Sequence, residues 1–178
     1  MRRLLAYLWF DFVMTVTGVL PDLIPITRFR GLLLRPALRS CGANFQIARR
    51  VTVNFPNCMD VGRDVFIGVG AWLHAAGGIT LEDGVQLGPY VALVTGDHTM
   101  KDGSYRYGAS KRAPIRLCSG SWVGAHATLT KGVTLGRGSL VAANAVVTTS
   151  IPDFTLAAGV PARVIKRLVQ DEILQEQC

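Results

Sequence analysis

The sequence predicts an all-β fold, a parallel β-helix of three-sided coils with a helical segment at each end. Three observations carry the prediction. From residue 41 onward aliphatic residues return at every sixth position, a small residue stands four places after each, and one polar stretch keeps the count of six while losing its apolar residues. Neither the 3.6-residue period of a helix nor the alternation of an ordinary strand produces that spacing.

The first run is Val61, Ile67, Leu73 and Ile79, with Val65, Ala71 and Gly77 at the fourth place; after a two-residue slip it resumes at Leu81, Leu87 and Leu93, with Val85 and Val91. The second is Leu117, Val123, Leu129, Leu135, Val141 and Val147, with Ser121, Ala127, Val133, Ser139 and Ala145. A six-residue unit is a short strand plus a turn: the aliphatic residue enters a narrow core and the small one fits where the chain bends to the next face. Three units close one coil, which buries its aliphatic residues only by stacking on the coils above and below. Gly62, Gly68, Gly88, Gly124 and Gly136 are expected to relieve the turns. A sandwich of short strands would need variable spacing and a period of two.

Residues 41–160 are therefore the β-helix, and both ends differ from it. Residues 1–50 hold Arg2, Arg3, Arg28, Arg30, Arg35, Arg39, Arg49 and Arg50 against Asp11 and Asp22, a net of +6 out of the chain's formal +7. Charge confined to one segment does not describe a nucleic-acid-binding surface, and no nucleic-acid partner is expected. Within residues 1–40, Leu4 to Leu20 is apolar, but Asp11 near its middle would be costly in a bilayer core, and no small-x-small cleavage site precedes Pro21. Two readings stay open. One is a helix packed on the body of the protein or on a neighbouring subunit. The other is a membrane-interfacial segment in which Leu32, Leu33, Leu34 and Leu38 interleave with Arg28, Arg30, Arg35 and Arg39, each arginine adding on the order of 1 kcal/mol near an anionic surface. After Pro161, Val164, Ile165, Leu168 and Val169 fall on one helical side and Asp171 and Glu172 on the other, which predicts a C-terminal helix over residues 161–178. Cys41, Cys58, Cys118 and Cys178 show no CxxC spacing and read as reduced thiols of a cytoplasmic protein rather than a disulfide framework.

The stretch SWVGAHATLTKGVTLGRGSLVAANAVVTTSIPDFTLAAGVPARVIK resembles, almost position by position, the C-terminal signature of the hexapeptide-repeat acyltransferases. About residues 41–167 are similar to the branch that holds the maltose and galactoside O-acetyltransferases and the O-acetyltransferases of bacterial surface polysaccharides. The resemblance implies a left-handed helix, a homotrimer, and transfer of acetyl from acetyl-CoA to a hydroxyl of a saccharide. Periodicity alone implies none of the three.

Between Leu93 and Leu117 the corner positions fall on Thr99, Tyr105 and Lys111, which cannot all enter a core, so the chain must leave the coil in an extended loop at residues 97–116. Its sequence, within TGDHTMKDGSYRYGASKRAP, is polar, aromatic and glycine-bearing, the composition of a binding loop set on a rigid scaffold. An alcohol is a poor nucleophile until a nearby base of near-neutral pKa removes its proton. The resemblance places the family's catalytic histidine where this loop leaves the coil, which makes His98 the general base. Asp97 and Asp102 are the acids near enough in sequence to orient the imidazole, and Asp97 is also counted among the acceptor-binding residues. Trp122, again by resemblance, walls the thioester and the acceptor. His74 stands where sugar-acetylating relatives usually carry asparagine, a departure that puts the acceptor's identity in question; it orients the acceptor, donates to the oxyanion, or points outward. His126 is read as facing the cofactor groove or solvent.

No P-loop or GxGxxG follows a strand, so a nucleotide would have to be held otherwise. The resemblance lays acetyl-CoA in a groove between coils lined by Trp122, Gly124, Ala125, Ala142, Ala143, Thr148 and Thr149, with Arg163 and Lys166 toward its phosphates. Thr149 replaces a lysine common in relatives. The three histidines are 24 and 28 residues apart, unlike the metal sites of carbonic anhydrases with this helix type, and no metal is expected. Two alternatives stand beside saccharide acetylation. HTMKDGS is similar to the loop of streptogramin acetylators, which suggests a xenobiotic acetyltransferase; a non-catalytic scaffold is the other, opposed by the presence of His98, Trp122 and the C-terminal signature together. The expected location is cytoplasmic, and peripheral at the inner face of the membrane if residues 1–40 meet lipid.

Overall fold

A computed structural model of the protein describes residues 2–168. Three parallel sheets form the faces of a prism. The first face stacks Ser40–Cys41, Met59–Val61, Ile79–Leu81, Ile115–Leu117 and Thr134–Leu135; the second stacks Gln46–Ile47, Phe66–Ile67, Gln86–Leu87, Trp122–Val123, Leu140–Val141 and Thr155–Gly159. The third stacks Thr52–Asn54, Trp72–His74, Ala92–Val94, Thr128–Thr130 and Val146–Val147. Every aliphatic residue of both six-residue runs lies inside, none more than 3% exposed, and the small residues at the fourth place from Val65 to Ala145 are buried with them, Gly77 apart. The register explains the slip: Val61 stacks on Leu81 and Leu73 on Leu93, 20 residues per coil, whereas Leu117 stacks on Leu135 and Val123 on Val141, 18 per coil. The extra pair is spent on the first face, where Ile79 and Leu81 both point inward.

The repeat glycines do something other than relieve turns. None of Gly62, Gly68, Gly88, Gly124 and Gly136 has a positive φ. Each sits where the next coil's backbone crosses, so that a Cβ on Gly124 would lie 2.6 Å from the Ala143 nitrogen and one on Gly136 2.4 Å from that of Asp153. They are small because coils stack closely there, while the left-handed turns fall partly on side-chain-bearing residues such as Tyr90, His126 and Asn144.

Two helices close the N-terminal end of the prism, α1 (Arg2–Thr17) and α2 (Ile24–Leu34). Phe10, Val13 and Met14 of α1 join Leu34, Ala37, Phe45 and Ile47 in the core. Gly31 lets α2 lie flat on the first coil, since a Cβ there would meet the Phe45 carbonyl oxygen at 2.0 Å. Arg30, fully buried, locks the arrangement: it donates to the Thr17 hydroxyl and carbonyl, to the Ile47 carbonyl and to Asp22. One guanidinium thus satisfies the end of α1, the first coil and the connecting turn, the condition under which a buried charge is tolerated. One side of the helical pair is thus packed on the body of the protein.

At the other end the predicted helix over residues 161–178 is corrected where it can be seen. Ala162–Arg167 is a strand that turns back at Gly159 and pairs antiparallel with Thr155–Gly159; residues 169–178 lie outside the described residues. The last coil presents an edge of unpaired N–H and C=O groups, and a β-branched segment satisfies them by adding a strand. Val164 and Ile165, assigned above to the buried side of a helix, are exposed.

Candidate active site

The chain leaves the prism after the third-face strand Ala92–Val94, and Thr95 controls the exit. Fully buried, it donates from its hydroxyl to the His74 carbonyl (2.5 Å), accepts from the Gly77 N–H (2.8 Å), and through its carbonyl receives the returning Ala113 N–H (3.1 Å). Between departure and return the excursion is an antiparallel ribbon, Gly96–His98 against Ser110–Arg112, with His98 opposite Ser110. The coil resumes at Ile115, which is buried and pairs with Ile79, so the loop ends two residues before the boundary expected at 116. Gly108 permits the tight crossing at the ribbon's end: a Cβ there would collide with the Thr99 carbonyl. Met100, Tyr105 and Tyr107 stand exposed at the tip.

His98 is therefore an exposed imidazole on a paired strand rather than on a free loop. The Asp97 carboxylate beside it is held by Lys131 at 2.6 Å. Lys131 follows Thr128–Thr130, the strand stacked directly on Ala92–Val94, so the ion pair ties the root of the ribbon to the neighbouring coil. Asp102 lies beyond Thr99, at a left-handed turn toward the tip.

His74 lies beside this root on the same face. Phe55 meets its ring edge-on at 5.6 Å and Trp72 stacks on it at 6.1 Å. Its Nδ1 is buried with no hydrogen-bond partner among the described residues. Burial is the main cause that pushes its pKa below the ordinary 6.5, and the nearby charges of Arg112 and His98 push the same way. Arg112, Lys131, Phe55 and Trp72 were not singled out from sequence; Thr95, a small polar residue at the exit from the apolar run, is the signal that was available.

Trp122 is not brought to His98 within one chain. It projects from the second face, 44% exposed, between Gln86 and Leu140, whereas His74 and the ribbon belong to the third face. His126, at the corner between those faces, stacks on Tyr90 at 4.9 Å and is exposed. Of the residues assigned to acetyl-CoA, Gly124 is buried, Ala125 and Ala142 are half-buried, and Ala143, Thr148 and Thr149 are exposed. One corner of the prism therefore shows backbone and small side chains, room for a long amide-bearing chain to lie close. Arg163 and Lys166 are both exposed on the C-terminal strand at the end of the second face. Burial pushes the Cys41 and Cys118 thiols up, which removes them as nucleophiles. Among the described residues no group of three His, Cys, Asp or Glu side chains is placed to hold a metal ion.

Residues 60–88 and 114–149 match the family described as the hexapeptide repeat of succinyl-transferase. Those two stretches carry the hexapeptide repeat. The chain is 27% identical over 139 residues to the galactoside O-acetyltransferase of Escherichia coli, a match covering 78% of this chain and 68% of that enzyme. Relatives in Staphylococcus aureus are 33% identical over 111 residues, 62% of this chain and 56% of theirs. A galactoside acetyltransferase solved in complex with coenzyme A superposes with a TM-score of 0.82 at 24% identity, over 94% of this chain and 83% of that one. At that identity the likeness establishes the fold.

Proposed function

We propose that the protein is an acetyl-CoA-dependent O-acetyltransferase acting on a hydroxyl of a saccharide. The observation that carries the reading is the root of the ribbon, where an exposed imidazole on a paired strand stands beside a second imidazole walled by two aromatic rings. Acetyl-CoA, the donor, supplies an activated thioester carbonyl. His98 accepts the acceptor's hydroxyl proton as that oxygen attacks the carbonyl, and passes it to the departing thiolate as the C–S bond breaks, so no covalent enzyme intermediate is needed. His74 holds the acceptor from below, with Trp72 and Phe55 as walls. Pantetheine lies along the small-residue corner at Ala125, Ala142 and Ala143, and Arg163 and Lys166 face the phosphates. Trp122 and the His98 ribbon lie on different faces of one chain, so the site is completed between subunits, as in a homotrimer. The relatives named for galactoside acetylation favour a sugar over an antibiotic acceptor. The acceptor is a precursor of a surface polysaccharide, and residues 1–40 bring the enzyme to the membrane where such precursors are held.

The test is thiol release from acetyl-CoA across a panel of sugars, nucleotide sugars and antibiotics. A saccharide should support turnover, and His98→Ala should lower it by about 10²-fold or more. Near-normal turnover by the variant, or turnover with antibiotics alone, rejects the reading.

A further inference from the structure

The transfer chemistry leaves the outer side of the helical pair unused. More than half of the large apolar side chains exposed among the described residues fall between Leu4 and Leu32, less than a fifth of the chain. α1 is apolar on both sides. Phe10, Val13 and Met14 face the coil, while Leu5, Leu8, Phe12 and Val16 on the opposite side are 54–60% exposed. A helix that is hydrophobic all round needs a second cover. α2 extends the surface with Phe29 and Leu32, and the two helices are tied side by side where the Trp9 indole donates to the Leu33 carbonyl. Leu5 and Trp9 also wall an apolar groove of about 470 Å³ that runs under α1 to Pro36 and Leu38.

The charges around this surface are mostly basic. Arg3 and Arg28 are exposed and have no acidic partner among the described residues; Arg35 donates to the Cys41 carbonyl. Asp22 is committed to Arg30 and Arg49. Asp11 is the one acid of α1 and lies roughly 100° around the helix from Phe12, at the rim of the apolar side. No helix among the described residues is long and apolar enough to cross a membrane. The surface is also fixed in direction, because Arg30 and Gly31 bolt the pair to the first coil.

We infer that the outer side of α1 and α2 is a docking face for an anionic bilayer surface. α1 lies in the plane of the interface, with Leu5, Leu8, Phe12 and Val16 at the acyl boundary and Arg3 and Arg28 at headgroup phosphates. Charge selects lipid over a second copy of this chain, since a self-complementary contact would bring the same unpaired arginines toward one another. The inference rests on the membrane reading of residues 1–40 and is independent of the transfer chemistry.

The test is sedimentation of the full chain with phosphatidylcholine vesicles, with and without phosphatidylglycerol, at low and at raised salt. Wild type should sediment only with phosphatidylglycerol, and less at raised salt. L8E/F12E, which leaves the buried side of α1 intact, should weaken binding by about tenfold or more, and R3E/R28E should abolish the phosphatidylglycerol dependence, both with thermal midpoints near wild type. His98→Ala should bind like wild type, which separates docking from catalysis. The inference is overturned if wild type stays in the supernatant, or if L8E/F12E binds undiminished. It is equally overturned if L8E/F12E lowers the assembly mass in light scattering, which would make the face a seam between subunits.

Discussion

Replacing Lys131 by methionine separates the geometry of the proposed active site from the stability of the fold. Lys131 holds Asp97 at 2.6 Å, with side chains 29% and 55% exposed. An ion pair that open to water contributes only about 0.2–1 kcal/mol. At roughly 2–4 °C per kcal/mol for a chain of this size, Lys131→Met should lower the melting temperature by less than about 4 °C. Activity should suffer far more. Asp97 precedes His98 in a three-residue strand, so the pair sets where the imidazole stands over the coil, and a displacement near 1 Å at a reacting group costs on the order of 10²-fold. Thiol release with the best saccharide should therefore fall about tenfold or more, Asp97→Asn should do the same, and the double variant should lose little beyond either. Lys131→Arg, which keeps the charge, should recover part of the rate. Lys131 is not the positioning residue proposed here if turnover changes less than about twofold, or if rate and melting temperature fall together as in general unfolding.

Two further outcomes follow from burial. Leu93, fully buried between Leu73 and Leu129 in the third-face stack, should cost about 3 kcal/mol when cut to alanine. Circular dichroism should then show a melting temperature lower by roughly 6–12 °C, and a loss below about 1 kcal/mol would contradict the close stacking of coils. Acidification is the second. Because the folded pKa of His74 lies below its ordinary 6.5, the unfolded chain takes up the proton first. The contribution of neutral His74 is complete above pH 6.5 and declines as pH falls from there through the folded pKa. Urea midpoints followed downward from about pH 8 should show that slope, and His74→Asn should flatten it. Asp60, held below its ordinary 3.8 mainly by Arg39, acts in a separate and more acidic window, lost as pH falls through its own folded value.

What could be read from the sequence divides along a physical line. The interior of the prism repeats, each aliphatic residue meeting its equivalents one coil away, so Leu87, Val123 and Leu129 report their burial through spacing alone. The glycines of the same repeat were legible as necessary but not in their reason, because a contact between coils 18 or 20 residues apart looks in sequence like a turn. Wherever the chain stops repeating, pairing across distance decides. Val164 and Ile165 carry a pattern that suits a helix as well as a strand, and the open edge of the last coil selects the strand. Lys131 is 34 positions from Asp97, and the sense of their contact appears only once Thr128–Thr130 is stacked on Ala92–Val94. The candidate site is built from these unrepeated pairs. A scaffold that buries its aliphatic residues by rule can hold its polar exceptions in fixed places: Thr95 clamps the point of exit, Lys131 the root of the ribbon, and between them His98 faces outward beside the half-buried ring of His74.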